Sequence, residues 1–407
     1  MTTSTQFDLK PQLIESMHQL YRELHASPEL SMQEHDTADR LEQLLDELNI
    51  EHFRCGGTGV VGVLRNGEGP TVAFRADTDA LPVAEATGLD YASKATGKLD
   101  DGTEVPIMHA CGHDTHMATA ITALRYLVAY SESWSGTLVM IFQPAEEIAA
   151  GAQAMVDDGL WDKAPKPEVV YGQHVRPSLA GTVSYTPGDG MAMADSWRVT
   201  LHGQGSHGSQ PQDSIDPIVL GAHIITRLQG IVSREIAPYA AAVVTVGTFH
   251  AGLKENIIPD SAEFTLNIRS LKPRTRDTVL AALRRIIKGE AATSGAPEPT
   301  IEEISTFPRN YNDPDQTAAA VAALQQELGD DAVREVPPAM GSEDFGILAS
   351  SIGVPSVYWM FGGHTQKRLE SGQVPVNHSP NFAPVLEPTL TTGVRAALTV
   401  LMSKLGS

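Results

Sequence analysis

The sequence has few cysteines, no strongly basic segment and no long hydrophobic run. Cys55 and Cys111 are the only cysteines in 407 residues, which excludes a disulfide-stabilised scaffold and fits a reducing compartment. Lysine and arginine total 29 against 50 aspartates and glutamates, and the formal charge of -21 disfavours binding to a polyphosphate backbone. We therefore expect no nucleic-acid partner.

The sequence also lacks the segments that would direct it to a membrane. No apolar run reaches the roughly 18 to 20 residues that a membrane helix needs. The segment Met1 to Gln12 has no basic stretch followed by an apolar one, so it does not resemble a secretion signal. These features predict a cytoplasmic protein without a membrane partner. With 42% hydrophobic residues, the chain is long enough for two packed domains.

Strands and helices alternate in the first and last parts of the chain. This alternation is typical of a catalytic α/β domain with a mixed sheet and helices on both faces. Ser31 and Glu34 have the spacing of a capping box at the start of a helix. The apolar segments 60–64 and 72–75 flank an Asn-Gly turn and predict a hairpin or two adjacent strands. A long helix is expected at about residues 115–130.

The middle third of the chain has a different pattern, which predicts a second domain. The predicted elements are strand 196–203, helix 217–234, strand 242–250, strand 262–270, helix 275–292 and strand 299–307. This βαββαβ order is that of a ferredoxin-like unit. Because the α/β pattern resumes near Asp313, we expect residues 191–308 to be inserted into a domain formed by residues 1–190 and 309–407.

The densest group of reactive side chains lies between His109 and His116. It contains three histidines, where 14 histidines in 407 residues predict about 0.3 in eight positions. Cys111, the histidines and Asp114 are residue types that bind zinc or a related metal. A helix N-terminus capped by Asp114 is the alternative for the segment, and a small buried hydrophobic residue is the alternative for Cys111.

Glu146 and Glu147 follow an apolar segment that ends at Phe142. Functional residues collect at strand ends in open α/β sheets, and two diverging carboxylates can divide the work of binding a metal and accepting a proton. A solvated acidic loop is the alternative. His174 ends another apolar segment and His378 lies in an Asn-His-Ser-Pro string. Each histidine alone is more often structural, but the shared pattern makes both of them candidate ligands.

Seven ordered motifs carry a resemblance to a known family. They are Phe74 to Pro82, Met108 to His116, Gln143 to Glu147, Gly205 to Gly208, Asn256 to Asp260, Gly341 to Phe345 and Asn377 to Pro380. The chain resembles the amidohydrolase branch of the dinuclear-zinc peptidase superfamily, which contains hippurate hydrolases, N-acyl amino acid aminoacylases and plant auxin-conjugate hydrolases. The segments 67–92 and 155–160 look most like bacterial aminoacylases that act on N-acyl amino acids.

The resemblance implies a hydrolase that cleaves the amide bond of N-acyl amino acids with two divalent ions. The implied metal ligands are Cys111, His113, Glu147, His174 and His378. Glu146 would be the general base that takes a proton from water and the acid that returns it to the departing amine. The wider superfamily has His-x-Asp where this chain has Arg75-Ala76-Asp77, so one histidine ligand is missing. Zinc is the expected ion, and manganese, cobalt and nickel also suit the remaining ligand types.

The resemblance also implies that the inserted domain is a lid that pairs two subunits into a homodimer. His207 and Asn256, both in that domain, would reach a substrate oxygen, with His207 acting in its own or the partner's site. Arg269 follows the apolar core of a predicted strand, where it would meet a substrate carboxylate or form a surface ion pair. Asp77 and Asp114 are candidates for orienting the metal ligands.

Other functions stay open at this point. A dipeptidase or carboxypeptidase, or a catalytically silent homologue that binds metal, would share these motifs. Glu146 favours catalysis, because a glutamate there has no role in merely holding metal. Gly203, Gly205 and Gly208 have the spacing of a dinucleotide-binding loop, but Pro211 follows and the predicted helix begins later. No serine lies between glycines at the spacing of a nucleophile elbow, which argues against a serine hydrolase.

Overall fold

The computed structural model describes residues 7–406 and divides the chain into two units. The first comprises the chain up to Gly190, Tyr311–Pro337 and the chain from Asp344, and the second comprises Met191–Asn310 and Pro338–Glu343. Catalysis by the first unit, and a lid and pairing role for the second, stay predictions, as do the predicted domain limits. None of the helices in residues 7–406 combines the length and the apolar character of a membrane span.

The helices and strands follow in chain order. The helices are α1 Pro11–Ala26, α2 His35–Glu47, α3 His113–Ala129, α4 Gly151–Asp157, α5 Leu160–Lys163, α6 Pro217–Arg234, α7 Pro273–Thr293, α8 Pro314–Leu328, α9 Gly346–Ser350, α10 Gln366–Glu370 and α11 Thr389–Leu405. The strands are β1 Glu51–Cys55, β2 Gly59–Asn66, β3 Thr71–Asp77, β4 Thr96–Lys98, β5 Glu104–Pro106, β6 Gly136–Gln143, β7 Val170–Leu179, β8 Val183–Tyr185, β9 Gly188–Met191, β10 Met193–His202, β11 Ser206–His207, β12 Ala242–Ala251, β13 Ile257–Ile258, β14 Ser261–Ser270, β15 Thr300–Phe307, β16 Asn310–Asn312, β17 Val333–Glu335 and β18 Ser356–His364.

The first unit is built on a mixed sheet with the strand order β1-β2-β6-β3-β7-β18-β8-β17. The central strands β6, β3, β7 and β18 are parallel, whereas the β1–β2 and β2–β6 pairs are antiparallel. Residues 138–143 of β6 are buried at every position, as expected for a strand covered on both faces. The predicted pairing of β2 with β3 is wrong, because β6 lies between them. The residues of the turn do not show that β6, which comes later in the chain, will insert between β2 and β3.

Helices cover both faces of this sheet. Phe74, Tyr171 and Trp359 belong to one buried cluster together with side chains of α1, α3 and α11. Gly172 is the next residue along β7, and a Cβ there would lie 2.9 Å from the ring of Phe345, just before α9. Because successive residues of a strand point to opposite faces, α9 lies on the other face. The predicted α/β class is confirmed.

The second unit has the ferredoxin-like arrangement that the sequence predicts. Its antiparallel sheet has the strand order β12-β14-β10-β15. Helices α6 and α7 cover the sheet through a separate buried cluster that includes Trp197, Phe264 and Leu283. The predicted helix 217–234 coincides with α6, and its start is fixed by Asp216, whose carboxylate accepts two backbone N–H groups of the first turn.

The capping box predicted for Ser31 and Glu34 does not form. Neither side chain caps α2, and two N–H groups of its first turn donate instead to Glu29, at 3.1 and 2.7 Å. Ser31 donates to Asp79 at 2.6 Å. A carboxylate from the preceding loop has taken over the capping role, so Ser31 and Glu34 make contacts elsewhere.

Candidate metal centre

Ligand-type side chains meet at the carboxyl end of the central parallel strands. Asp77 and Gln143 end β3 and β6 and are paired in register, so the loop that carries Glu146 and Glu147 begins beside Asp77. Helix α3 begins at His113, two residues earlier than predicted, because Gly112 adopts a left-handed φ of 84° before it. The carboxyl ends of parallel strands are where α/β proteins place their functional sites.

Cys111 and His174 lie side by side. The Cys111 Sγ and His174 Nε2 atoms are 3.4 Å apart, and His174 Nδ1 donates to the Val175 carbonyl at 2.6 Å. Burial, reinforced by neighbouring His116, lowers the pKa of His174 well below its usual value, so the ring is neutral. The Asn377 amide donates to the Cys111 carbonyl at 3.1 Å. These contacts fix a thiol and an imidazole lone pair next to each other.

His113 is held by one ring nitrogen and exposes the other to the cluster. Its Nδ1 lies 2.8 Å from the Asp79 carbonyl, whereas its buried Nε2 has no hydrogen-bond partner in the described part of the chain. That Nε2 lies 3.8 Å from Glu147 Oε1, a second buried atom without a hydrogen-bond partner there. The ligand atoms of Cys111, His113 and Glu147 all lie within 4.8 Å of one another. A cation bound between these two unpartnered atoms would satisfy both of them.

The charge of the pocket also favours a cation. Burial by itself would lower the pKa of His113, but the carboxylates of Asp77 and Asp79 raise it to about 10. Burial, followed by the charges of Glu147 and Glu146, raises the pKa of the Cys111 thiol well above its usual value. The shift of His113 reports an excess of negative charge, which adds to burial in the shift of Cys111, and a bound metal would offset that charge and stabilise the thiolate.

His378 joins the cluster from the loop before α11. The Nε2 atom of its ring lies 3.3 Å from Glu147 Oε2. Its backbone N–H donates to the Ala110 carbonyl at 2.8 Å. The backbone of His378 is left-handed, with φ 69°, which is unusual for a residue with a Cβ. The hydrogen bond to Ala110 holds this conformation and ties the loop to the segment that carries Cys111.

Glu146 lies at the edge of the same cluster. It is 6% exposed, and its Oε2 is 3.9 Å from His113 Nε2. The first unit thus brings together all five predicted ligands and the predicted base. Their roles stay predictions, because geometry alone does not assign them.

His116 and Asp77 lie beside this cluster, and both form hydrogen bonds to other groups. His116 donates to Asp77 through Nδ1, and its Nε2 accepts the Val175 N–H at 2.8 Å, so both ring nitrogens of His116 are occupied. Asp77 also accepts from Arg75 at 2.6 Å. Arg75 therefore places a fixed positive charge beside Asp77.

Asp114 does not make the contacts that its predicted orienting role requires, whereas Asp79 contacts two of the predicted ligands. The Asp114 carboxylate lies 2.6 Å from His25 Nδ1 and contacts none of the predicted ligands. Asp79 binds His113 through its carbonyl, and its carboxylate accepts the Glu147 N–H at 3.0 Å. The sequence places Asp79 within a resembling motif, but the motif does not show which of its aspartates meets the ligands.

The second unit holds His207 and Asn256 together. His207 pairs with Ile257 across the β11–β13 ribbon, and the Gly208 N–H donates to the Asn256 carbonyl at 2.8 Å. The imidazole is exposed, and its Nδ1 accepts the Ser209 N–H at 3.1 Å, so the neutral ring carries its proton on Nε2. The ribbon borders a groove of about 880 Å³ within this unit.

Arg269 lies apart from that ribbon, on β14. Its Nη1 donates to the Met340 carbonyl at 2.7 Å, and its Nε donates to Asn267 at 2.9 Å. No carboxylate in residues 7–406 forms an ion pair with it, so the alternative of a surface ion pair is not what the structure has. A role in binding substrate stays a prediction.

Comparison with known sequences now identifies the family. The profile of Peptidase family M20/M25/M40 matches residues 73–403. The chain belongs to this family. It is 35% identical over 384 residues to thermostable carboxypeptidase 2 of Saccharolobus solfataricus, covering 93% of this chain and 92% of the relative. It is 37% identical over 352 residues to N-acetylcysteine deacetylase of Bacillus subtilis, covering 85% and 88%.

A solved structure has the same fold. The Bacillus subtilis YXEP protein, a dinuclear metal binding peptidase from the M20 family, superposes with a TM-score of 0.76 at 30% identity, covering 97% of this chain and 100% of that one. The resemblance drawn from the motifs is confirmed, and this M20 chain is a metal-dependent hydrolase of amide bonds.

Proposed function

We propose that this protein hydrolyses the amide bond of N-acyl amino acids at a two-metal centre. The proposed ligands are Cys111, His113, Glu147, His174 and His378. The observation that carries the proposal is the pair of buried atoms His113 Nε2 and Glu147 Oε1, 3.8 Å apart and without hydrogen-bond partners in the described chain. Zinc suits a thiolate, imidazoles and a carboxylate, and manganese, cobalt or nickel suit them as well.

Glu146 performs the proton transfers in this proposal. When bound, a pair of divalent ions lowers the pKa of water towards neutrality and polarises the amide carbonyl. Glu146 takes one proton from the attacking water as the oxygen of that water forms a bond to the carbonyl carbon. The same carboxyl then gives that proton to the amide nitrogen as the carbon–nitrogen bond breaks. Without this proton the amine would depart as a strongly basic anion, so Glu146 serves both halves of the reaction.

His207 stabilises the oxyanion in the proposed mechanism. Because the Ser209 N–H occupies Nδ1, the exposed Nε2–H is the free donor of the neutral ring. A donor aimed at the oxygen that gains charge lowers the barrier to acyl transfer. The neighbouring Asn256 amide offers a second donor on the same ribbon. Arg269 is the candidate for a substrate carboxylate, which a guanidinium binds through paired hydrogen bonds.

Substrate choice is tested by a hydrolysis screen. N-acetyl, N-benzoyl and longer N-acyl amino acids are compared with dipeptides, each with zinc, manganese, cobalt or nickel, and Glu146→Gln controls for contaminating enzymes. We expect N-acyl amino acids to be cleaved with higher kcat/KM than any dipeptide. The deacetylase relative favours this outcome. Faster cleavage of dipeptides would support the activity named for the carboxypeptidase relative instead.

We further propose that two copies pair through the second unit. Strand β12 is an edge of its sheet, and the unit carries exposed apolar side chains, including Val219 on α6, Tyr239 and Val243. Unpaired strand edges and apolar patches are typical of interfaces. Light scattering should give about twice the 43.6 kDa mass of one chain. A monomeric mass at micromolar concentration would contradict the pairing.

A further inference from the structure

Glu34 is a fully buried carboxylate for which the proposed reaction has no role. It is 0% exposed, and its two side-chain partners are neutral. Its Oε1 accepts the Ala145 N–H at 2.8 Å, and its Oε2 accepts the Thr58 hydroxyl at 2.5 Å. Removing a carboxylate from water without a cationic partner is costly: burial and the charge of Asp79 raise the pKa of Glu34 to about 7, and the two hydrogen bonds offset only part of that cost.

The residue that Glu34 holds has an unusual backbone. Ala145 is buried and adopts φ 50°, a left-handed conformation that a residue with a Cβ rarely adopts. Its carbonyl accepts the N–H groups of Ala150 and Gly151, both at 3.2 Å. The loop after β6 therefore closes tightly on Ala145 from the carbonyl side. Glu34 holds the same residue from the N–H side, so both backbone polar groups of Ala145 are fixed.

The residues that follow Ala145 are the proposed base and a proposed metal ligand. The backbone angles of Ala145 set the direction in which the chain continues to Glu146 and Glu147. The Glu147 N–H is held in turn by Asp79, which also accepts from Ser31. The short segment before α2 thus contacts this loop by two routes. Ser31 acts through Asp79, and Glu34 bonds to the loop directly.

We propose that Glu34 is a positioning residue that maintains the left-handed conformation of Ala145 and thereby orients Glu146 and Glu147. The inference rests on the proposed metal centre. It explains why Glu34, which directly precedes α2, does not cap it: its carboxylate serves a loop 111 residues further along the chain. An outer partner of this kind acts on metal affinity and on kcat through the groups that it orients.

The test compares three variants. Glu34→Ala removes the acceptor for the Ala145 N–H, and Glu34→Gln keeps a carbonyl oxygen there while the Thr58 hydroxyl can rotate to accept from the new amide. Glu29→Ala is the matched control, because Glu29 caps α2 and does not contact Ala145. Zinc affinity is measured by competition with a chromogenic chelator, alongside Tm, kcat and KM.

We expect Glu34→Ala to bind zinc about 10- to 100-fold more weakly than the wild type and to lose kcat with little change in KM. Glu34→Gln should restore most of both. Glu29→Ala should lower the Tm but leave the zinc affinity unchanged. Equal zinc affinity in Glu34→Ala and the wild type, or an equal loss in Glu29→Ala, would overturn the inference.

A fourth variant covers the case in which Glu34→Ala does not fold. Thr58→Val removes the hydroxyl that holds Oε2 and leaves the Ala145 contact to a loosened Glu34, so a several-fold weaker zinc affinity supports the proposal and an unchanged affinity contradicts it. Failure of the proposed function gives a different result. If the wild-type protein itself does not bind zinc, manganese, cobalt or nickel, the metal centre is refuted, whatever the Glu34 variants do.

Discussion

The two units hold most of their proposed functional residues in opposite ways, with the exposed His378 of the first unit and the half-buried Arg269 of the second as exceptions. In the first unit, His113 is 0% and Cys111 is 7% exposed, and backbone carbonyls and an asparagine amide fix their surroundings. In the second unit, His207 and Asn256 are exposed at a short two-stranded ribbon, and the imidazole of His207 is held by the nearby Ser209. Buried and fixed groups suit bond-breaking chemistry, because they need no reorganisation. Exposed groups suit contact with a substrate that arrives from solvent. The comparison predicts that substitutions in the first unit reduce activity more than substitutions in the second unit do.

Replacing Glu146 should have the largest effect. Glu146→Gln keeps the side-chain shape but cannot accept the proton of water, so amide hydrolysis should fall by about 10²- to 10⁴-fold. Metal content, measured by elemental analysis, should stay near the wild-type value, because Glu146 is not a proposed ligand. A parallel loss of metal and activity would show that the base has been assigned to the wrong residue.

The two cysteines offer a matched pair. Cys111→Ala should reduce metal affinity by more than the roughly 10- to 100-fold that the loss of an outer partner causes, because a ligand itself is removed. Cys55 is also buried, but its thiol donates to the Met155 carbonyl. Cys55→Ala should therefore leave metal affinity unchanged. A larger effect of Cys55 than of Cys111 would mean that the wrong thiol has been chosen.

The exposed site should show a smaller effect without loss of metal. His207→Ala removes the proposed oxyanion donor, and kcat should fall by about 10²-fold while metal content is unchanged. His202→Ala is the control, since His202 belongs to the same unit but bonds to Thr300 and does not border the groove. Wild-type kcat in His207→Ala would remove this residue from the mechanism.

Local patterns in the sequence predict the parts of the fold that depend on neighbouring residues. The helical spacing of apolar residues places α6 at residues 217–234, and Asp216 at its start needs only the first turn of that helix. The cluster from His109 to His116 and the Glu146-Glu147 pair indicate metal chemistry by residue type. The confirmed position of α6 is thus encoded within a short stretch of chain.

Features that depend on distant contacts could not be predicted in the same way. The insertion of β6 between β2 and β3 is settled by packing over the whole sheet. Asp79 and Asp77 are two residues apart in the same motif, and only the folded chain shows that Asp79 meets His113. Glu34 has the spacing of a capping residue, but its partner is Ala145. A short sequence window does not encode which distant N–H group a buried carboxylate will meet.

The most direct test of the metal centre is metal removal from the wild-type protein. Elemental analysis before and after dialysis against a strong chelator is paired with an assay of N-acyl amino acid hydrolysis. We expect two divalent ions per chain, loss of hydrolysis when they are removed, and recovery when zinc or another suitable divalent ion is added. Full hydrolysis by protein that elemental analysis shows to be metal-free would contradict the account.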